Sequence, residues 1–249
     1  MTPEPLVTTL GTGPLDGPEA AWCRVWWART DQLDDRHMDL LSDSERSRLS
    51  RLRLAADRTR SALAAALLRL AAGATIDQDA AGIRVDRRCP GCGGEHGRPL
   101  LPGSGLSASV AHSGDWVAVA LSPTGPVGVD VEQVHTIDAS ALADLVLSPG
   151  EAVSSSVELL VLWARKESAL KATGDGLRTP MNEVRVAAAD QPAALLAYPG
   201  LDASTAQMLD LASQPGHVAA LTILQSQPVT VEELAADPLL ALPGDFGAR

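Results

Sequence analysis

Residues 157–174 constrain this chain more than any other stretch. They read as a helix from about Val157, with Gly174 as the stop after the last turn. Trp163, Glu167 and Lys171 follow at i, i+4 and i+8, which puts them on one face within about 80° of arc. A glutamate and a lysine one turn apart are most often an exposed helix pair. Here a tryptophan shares their face and a second acidic cluster lies upstream. That face therefore reads as a site, and the rest of the chain as its frame.

Upstream the apolar period is that of strands. Residues 106–111, 116–121 and 127–134 are apolar runs separated by turn residues, the pattern of an antiparallel meander. The last run contains Gly128-Val129-Asp130-Val131-Glu132, in which Asp130 and Glu132 project from one face while Val129 and Val131 enter the core. Adjacent carboxylates on a strand face repel unless a cation or a proton sits between them. The plainer alternative is a solvent-facing acidic strand end. As ligands, such oxygens suit Mg²⁺ rather than zinc.

Nearer the N-terminus, residues 21–28 read as a buried strand. Ser42 and Glu45 form a capping box for a short arginine-rich helix to about Arg53. A stronger helix over 56–72 has Ala62, Leu63, Ala66, Leu67 and Leu70 as its stripe and Gly73 as its stop. Residues 86–105 are loop-like and hold Cys89-Pro90-Gly91-Cys92, with His96 shortly after. This resembles half of a zinc knuckle, but no second pair matches it. A glycine-rich turn with two reduced thiols is the preferred reading. Ser148-Pro149-Gly150-Glu151 has the form of a helix start for the central helix. Strand-like runs follow at 183–189, 193–198, 206–212 and 217–224, then one short capped element at 229–234, with fraying expected beyond Pro238.

The chain has 249 residues, enough for one large domain or two ordinary halves. With 45% hydrophobic and 20% charged residues it reads as soluble and globular. No apolar run reaches the roughly 18 residues of a membrane span, and Met-Thr-Pro-Glu-Pro lacks the form of a secretory signal. Cys23, Cys89 and Cys92 make no disulfide framework, so a cytoplasmic location is expected. A net charge of -11 argues against general nucleic-acid binding. Residues 1–126 carry 14 Lys and Arg against 15 Asp and Glu; residues 127–249 carry 6 against 16. Each half runs through helices and then strands, and 113–121 is echoed by 215–223. The expected fold is α+β: two similar α+β halves, 1–126 and 127–249, forming a monomeric pseudo-dimer with the active site at their interface.

Val127-Gly128-Val129-Asp130-Val131-Glu132, followed by Trp163 through Lys166-Glu167 and Lys171 to Gly174, closely resembles the signature of the 4′-phosphopantetheinyl transferases. Length and layout are similar to the large, pseudo-dimeric Sfp-type class, which modifies carrier domains of peptide and polyketide synthases. Gly97-Arg98-Pro99 and the segment Val110 to Gly114 resemble further family elements, and Ser42 to Arg48 with Asp57 to Arg60 resembles its basic N-terminal helices.

The resemblance implies transfer of 4′-phosphopantetheine from coenzyme A to a carrier-protein serine, with release of adenosine 3′,5′-bisphosphate. Asp130, Glu132 and Glu167 would be the ligands of Mg²⁺, with Mn²⁺ able to substitute. Lys171 would add a charge at the pyrophosphate, and Glu167 or a metal-bound water would take the serine proton. His112 would bind phosphate, while Arg98, Arg60 and Arg48 would hold the 3′-phosphate and adenine end. Lys166 is read either as a phosphate contact or as a solvated helix residue. Two positions depart from the pattern: Ala111 replaces a serine, and Arg98 replaces a lysine. A non-catalytic coenzyme A-binding protein and a Mg²⁺-dependent phosphohydrolase are the alternatives.

Overall fold

A computed structural model describes residues 6–10, 21–135, 139–212 and 214–241. The strands are β1 (Leu6–Leu10), β2 (Ala21–Arg29), β3 (Ser107–Ser113), β4 (Trp116–Ser122), β5 (Val127–Gln133), β6 (Arg185–Val186), β7 (Leu195–Ala197), β8 (Ala206–Asp210), β9 (His217–Leu224) and β10 (Val229–Ala235). The helices are α1 (Asp43–Arg51), α2 (Ala55–Ile76), α3 (Ala139–Val146), α4 (Ser156–Thr173) and α5 (Asp237–Leu240). This is a mixed α+β architecture. Among the described residues, no helix is long and apolar enough to cross a membrane.

Alternation along the strands builds the layers. A five-stranded sheet has the order β1-β10-β2-β4-β3, a three-stranded sheet the order β5-β9-β8, and β6 pairs with β7. Cys23, Val25 and Trp27 of β2 meet Val127, Val129 and Val131 of β5 and Leu221 and Ile223 of β9 in a core between the two sheets. The other face of the first sheet, with Trp26, Ala28, Val117, Val119 and Leu121, packs on Leu63, Leu67 and Leu68 of α2. On the far side of the second sheet lies α4, whose Leu162, Ala169 and Leu170 pack with Val186, Leu195 and Met208.

Several local expectations hold, and others are corrected. Ser42 caps α1 with Glu45 answering it. Gly174, at φ 78°, ends α4 and donates its N–H to the Leu170 carbonyl at 3.0 Å. The second helix, however, runs through Gly73 to Ile76 and ends at Asp77 in the left-handed region. Gly73 is small because the chain folds back over it: a Cβ there would lie 2.6 Å from the Gln78 carbonyl oxygen.

The meander stops after two hairpin strands. β5 leaves the first sheet and pairs antiparallel with β9, which is the arrangement that buries its valines between the sheets. Ser148-Pro149-Gly150-Glu151 forms a turn rather than a helix start, because the Glu151 carboxylate accepts from Ser148 N–H and from Val186 N–H and also binds Lys166. Helix α4 begins later, capped by Ser155. Residues 229–235 are a full strand lying parallel to β2 and antiparallel to β1. Beyond Pro238, Leu240 packs inward and its carbonyl meets His37 Nε2 at 3.1 Å; residues 242–249 lie outside the described part.

Candidate active site

The face of β5 that carries Gly128, Asp130 and Glu132 is turned toward α4. Gly128 sets the approach. A Cβ there would sit 1.9 Å from the Ser168 carbonyl oxygen and 2.5 Å from the Ala172 nitrogen, so only a residue without one lets strand and helix come this close. Ser168 Oγ and Thr222 Oγ1 hydrogen-bond at 2.7 Å and hold the helix to β9. The close contact brings Lys171 onto β5, where its Nζ donates to Asp130 Oδ1 at 2.6 Å and to the Val129 carbonyl at 3.1 Å.

The three carboxyl groups are strained toward neutrality. Burial pushes Asp130 above the usual carboxylate range, against the pull of Lys171. Burial and then the Asp130 charge lift Glu132 to about 7, although Ser113 Oγ donates to it at 3.0 Å. Glu167 is raised by burial and by Asp130, with Lys171 opposing. Asp130 Oδ2 is buried with no hydrogen-bond partner. One lysine shared among three acids, with an orphaned buried oxygen beside it, is a donor set short of positive charge.

The acids line an open pocket of about 450 Å³, together with Lys171, Trp163, Val110, Ala111, His112, Ser61, Ala64, Arg48, Arg87 and His96. It lies where β3 and β5, edge strands of different sheets, run side by side. Side chains rather than a backbone ladder join them: Val129 N–H donates to Ser109 Oγ and Gln133 N–H to Ser113 Oγ, each at 3.0 Å. The same pocket is also lined by the cationic Arg48 and Arg87. Burial and the neighbouring Arg48 lower Arg87 to about 10, so it keeps its charge at neutral pH, and its Nε is buried without a partner. His112 is held below its usual value by desolvation, with Arg60 and Lys171 adding to the effect. The pocket thus holds hard, acidic groups together with basic ones, which suits a phosphorylated ligand touching both.

Residues 126–222 match the model of the 4′-phosphopantetheinyl transferase superfamily. Similar curated proteins carry the same description. The 4′-phosphopantetheinyl transferase gsp of Aneurinibacillus migulanus is 32% identical over 95 residues, covering 35% of this chain and 39% of the relative. AcpT of Salmonella typhi is 35% identical over 91 residues, 32% of this chain and 47% of the relative. The 4′-phosphopantetheinyl transferase of Bacillus subtilis is 30% identical over 103 residues, 37% and 44% respectively. In each case the match spans less than half of the relative's length.

Of the residues that the resemblance to 4′-phosphopantetheinyl transferases singled out, Asp130, Glu132, Glu167, Lys171, His112 and Arg48 share the pocket. Arg60 and Arg98 do not line it. Arg60 bonds Asp57 at 2.5 Å and the Gly114 carbonyl at 2.8 Å, which anchors the turn after His112. Arg98 packs on Gly174 and donates to the Ala172 carbonyl at 3.2 Å, satisfying the C-terminal end of α4. Lys166 is neither a phosphate contact nor solvated. It is fully buried, bound to the Val146 carbonyl at 2.5 Å, to Ser148 Oγ at 3.1 Å and to Glu151.

Arg87 and Ser61 were missed by sequence reasoning, and His96 was read only with the two cysteines, not as part of this pocket. They stand on a loop and a helix face that no spacing ties to the acidic motif; the one available signal was the basic pair Arg87-Arg88 opening the glycine-rich loop.

Proposed function

We propose that the protein transfers the 4′-phosphopantetheine group from coenzyme A to a serine hydroxyl of an acyl or peptidyl carrier protein, releasing adenosine 3′,5′-bisphosphate. One observation carries this reading: three carboxylates and Lys171 share a single pocket at the β3–β5 seam with Arg48 and Arg87. Coenzyme A has phosphates at both ends of its nucleotide; the arginines suit the 3′-phosphate, and the acids, once holding a divalent cation, would suit the pyrophosphate. The two helix-backed sheets are read as paired halves, 1–126 and 127–249, with β10 of the second crossing back into the sheet of the first and the site in their seam.

Asp130, Glu132 and Glu167 would hold a divalent cation. The all-oxygen donor set and the orphaned Asp130 Oδ2 fit Mg²⁺, with Mn²⁺ as a substitute. Such an ion supplies neutralisation of phosphate charge. The chain's own groups do the rest. Lys171 presents a cation at the pyrophosphate, and His112 contacts phosphate. Glu167 would accept the serine proton. Trp163 covers the same helix face and keeps water from it. Arg48 and Arg87 take the 3′-phosphate, while Arg60 and Arg98 position the turn after His112 and the end of α4.

The test is the intact mass of an apo carrier protein after incubation with coenzyme A and Mg²⁺. The carrier gains the phosphopantetheine mass with the unaltered protein and not with Glu167→Gln, which keeps shape but loses charge. Adenosine bisphosphate released without any carrier would assign a phosphohydrolase instead. Coenzyme A binding with no release on any carrier class would assign a non-catalytic binder.

A further inference from the structure

The loop between Asp86 and Leu100 carries a second cluster that the transfer reading does not use. Its base is closed by Asp86 and Leu100, which exchange backbone hydrogen bonds of 2.9 and 2.8 Å, and by Gly97 N–H on the Arg87 carbonyl at 2.7 Å. At its tip, Cys89 N–H donates to the Gly94 carbonyl and Gly93 N–H to the Cys89 carbonyl, both at 2.8 Å. A backbone amide is aimed at Cys92: Gly94 N–H points at its Sγ at 3.4 Å. His96 Nε2 lies 2.9 Å from Cys92 Sγ. The ligand atoms of Cys89, Cys92 and His96 all lie within 4.8 Å of one another.

We propose that Cys89, Cys92 and His96 form a zinc site, separate from the carboxylates, that staples this loop against the pocket. A neutral thiol is a weak acceptor, so an amide and an imidazole nitrogen converging on Cys92 Sγ, with Cys89 Sγ close by, are better explained by a thiolate ligand set. Two sulfurs and an imidazole nitrogen select zinc over Mg²⁺. Around a tetrahedral zinc such atoms stand about 3.5–3.8 Å apart, within reach of the observed spacing by small side-chain rotations.

The loop also needs a staple. Cys92, His96 and Glu95 are exposed, so burial contributes little to its shape. A Cys89–Cys92 disulfide would leave His96 without a purpose. Among the described residues no fourth His, Cys, Asp or Glu joins the group. Because Arg87 opens the loop and His96 closes it, and both line the pocket, the ion would fix that wall in place. This last clause rests on the coenzyme A reading; the metal assignment does not.

The experiment is metal binding by the full chain. Protein purified without chelator should contain one zinc per chain by elemental analysis. After stripping, titration with Co²⁺ in excess Mg²⁺, which saturates the carboxylates, should give a thiolate-to-cobalt charge-transfer band that saturates at one equivalent and vanishes on adding Zn²⁺. Cys89→Ser with Cys92→Ser should lose both the zinc and the band while keeping its far-ultraviolet circular dichroism. Zinc retained by that double variant, absence of the band in the unaltered protein, or thiols that oxidise to a disulfide and take no metal would each overturn the proposal. None of these readouts depends on transferase activity, so failure of the transfer reading would be seen separately.

Discussion

Arg87 is the residue that changes the picture of the basic wall. A half-buried guanidinium beside another arginine, with its buried Nε unmatched, costs stability unless an anion arrives. Charge-assisted contacts to phosphate contribute on the order of 1.5–3 kcal/mol each. Arg87→Ala and Arg48→Ala should therefore weaken coenzyme A binding by about 10- to 150-fold. Binding of 3′-dephospho-coenzyme A should hardly change. Calorimetric titration of both ligands checks this. Arg98→Ala, whose partner is the Ala172 carbonyl, should leave the ratio of the two affinities intact. The acidic end was readable residue by residue, since strand and helix periods place Asp130, Glu132, Glu167 and Lys171 without knowledge of the fold. Arg87 was not, because a loop residue acquires its neighbours only when the chain has folded.

At the scale of elements, two contacts decide how the helices sit. Gly128→Ala would push α4 off β5, because its methyl meets helix backbone rather than a side chain that can rotate. Overpacking of this kind typically costs about 1–3 kcal/mol or more. A lowered melting temperature with transfer lost out of proportion to the fraction unfolded is the expected result.

The second contact ties α1 to α2. Arg69 and Glu45 form a buried ion pair at 2.9 Å, with side-chain exposures of 5% and 7%. Burial raises the Glu45 proton affinity, but hydrogen bonds from Arg69 and Ser42 outweigh it and the net shift is downward. A carboxyl depressed in the folded state stabilises above its unfolded value near 4.3 and loses that contribution as pH falls through the folded value. Glu45→Gln should flatten the acid limb of a stability–pH curve below about pH 4.3. It should cost about 3–5 kcal/mol at neutral pH by stranding Arg69. Denaturant midpoints across pH measure both. Sequence pattern read the capping role of Glu45 correctly and could not see Arg69, which lies 24 residues on. Ser148 to Glu151 misled for the opposite reason: its local pattern is that of a helix start, but the distant Lys166 claims the glutamate.

The whole molecule is interleaved rather than divided. β10, near the C-terminus, lies between β1 and β2 of the N-terminal sheet, and Glu233 on it accepts from Trp27 Nε1 and from Ala212 N–H, each at 2.8 Å. Chains cut into 1–126 and 127–249 should each fail to give a cooperative unfolding transition, and should regain one when mixed. Folded separate halves would contradict this. The position of β10 also sets a schedule for synthesis. The antiparallel partner of β2 on one side, β4, is complete at Ser122, but its other side stays open until Ala235 has been made. At about 5–20 residues per second that gap lasts roughly ten seconds, during which a strand carrying Trp22, Trp26 and Trp27 presents a bare edge. Each newly made chain therefore passes through an interval in which it can pair with its neighbours on the same polysome, and slower growth at low temperature with chaperone cover should raise the yield of properly formed protein.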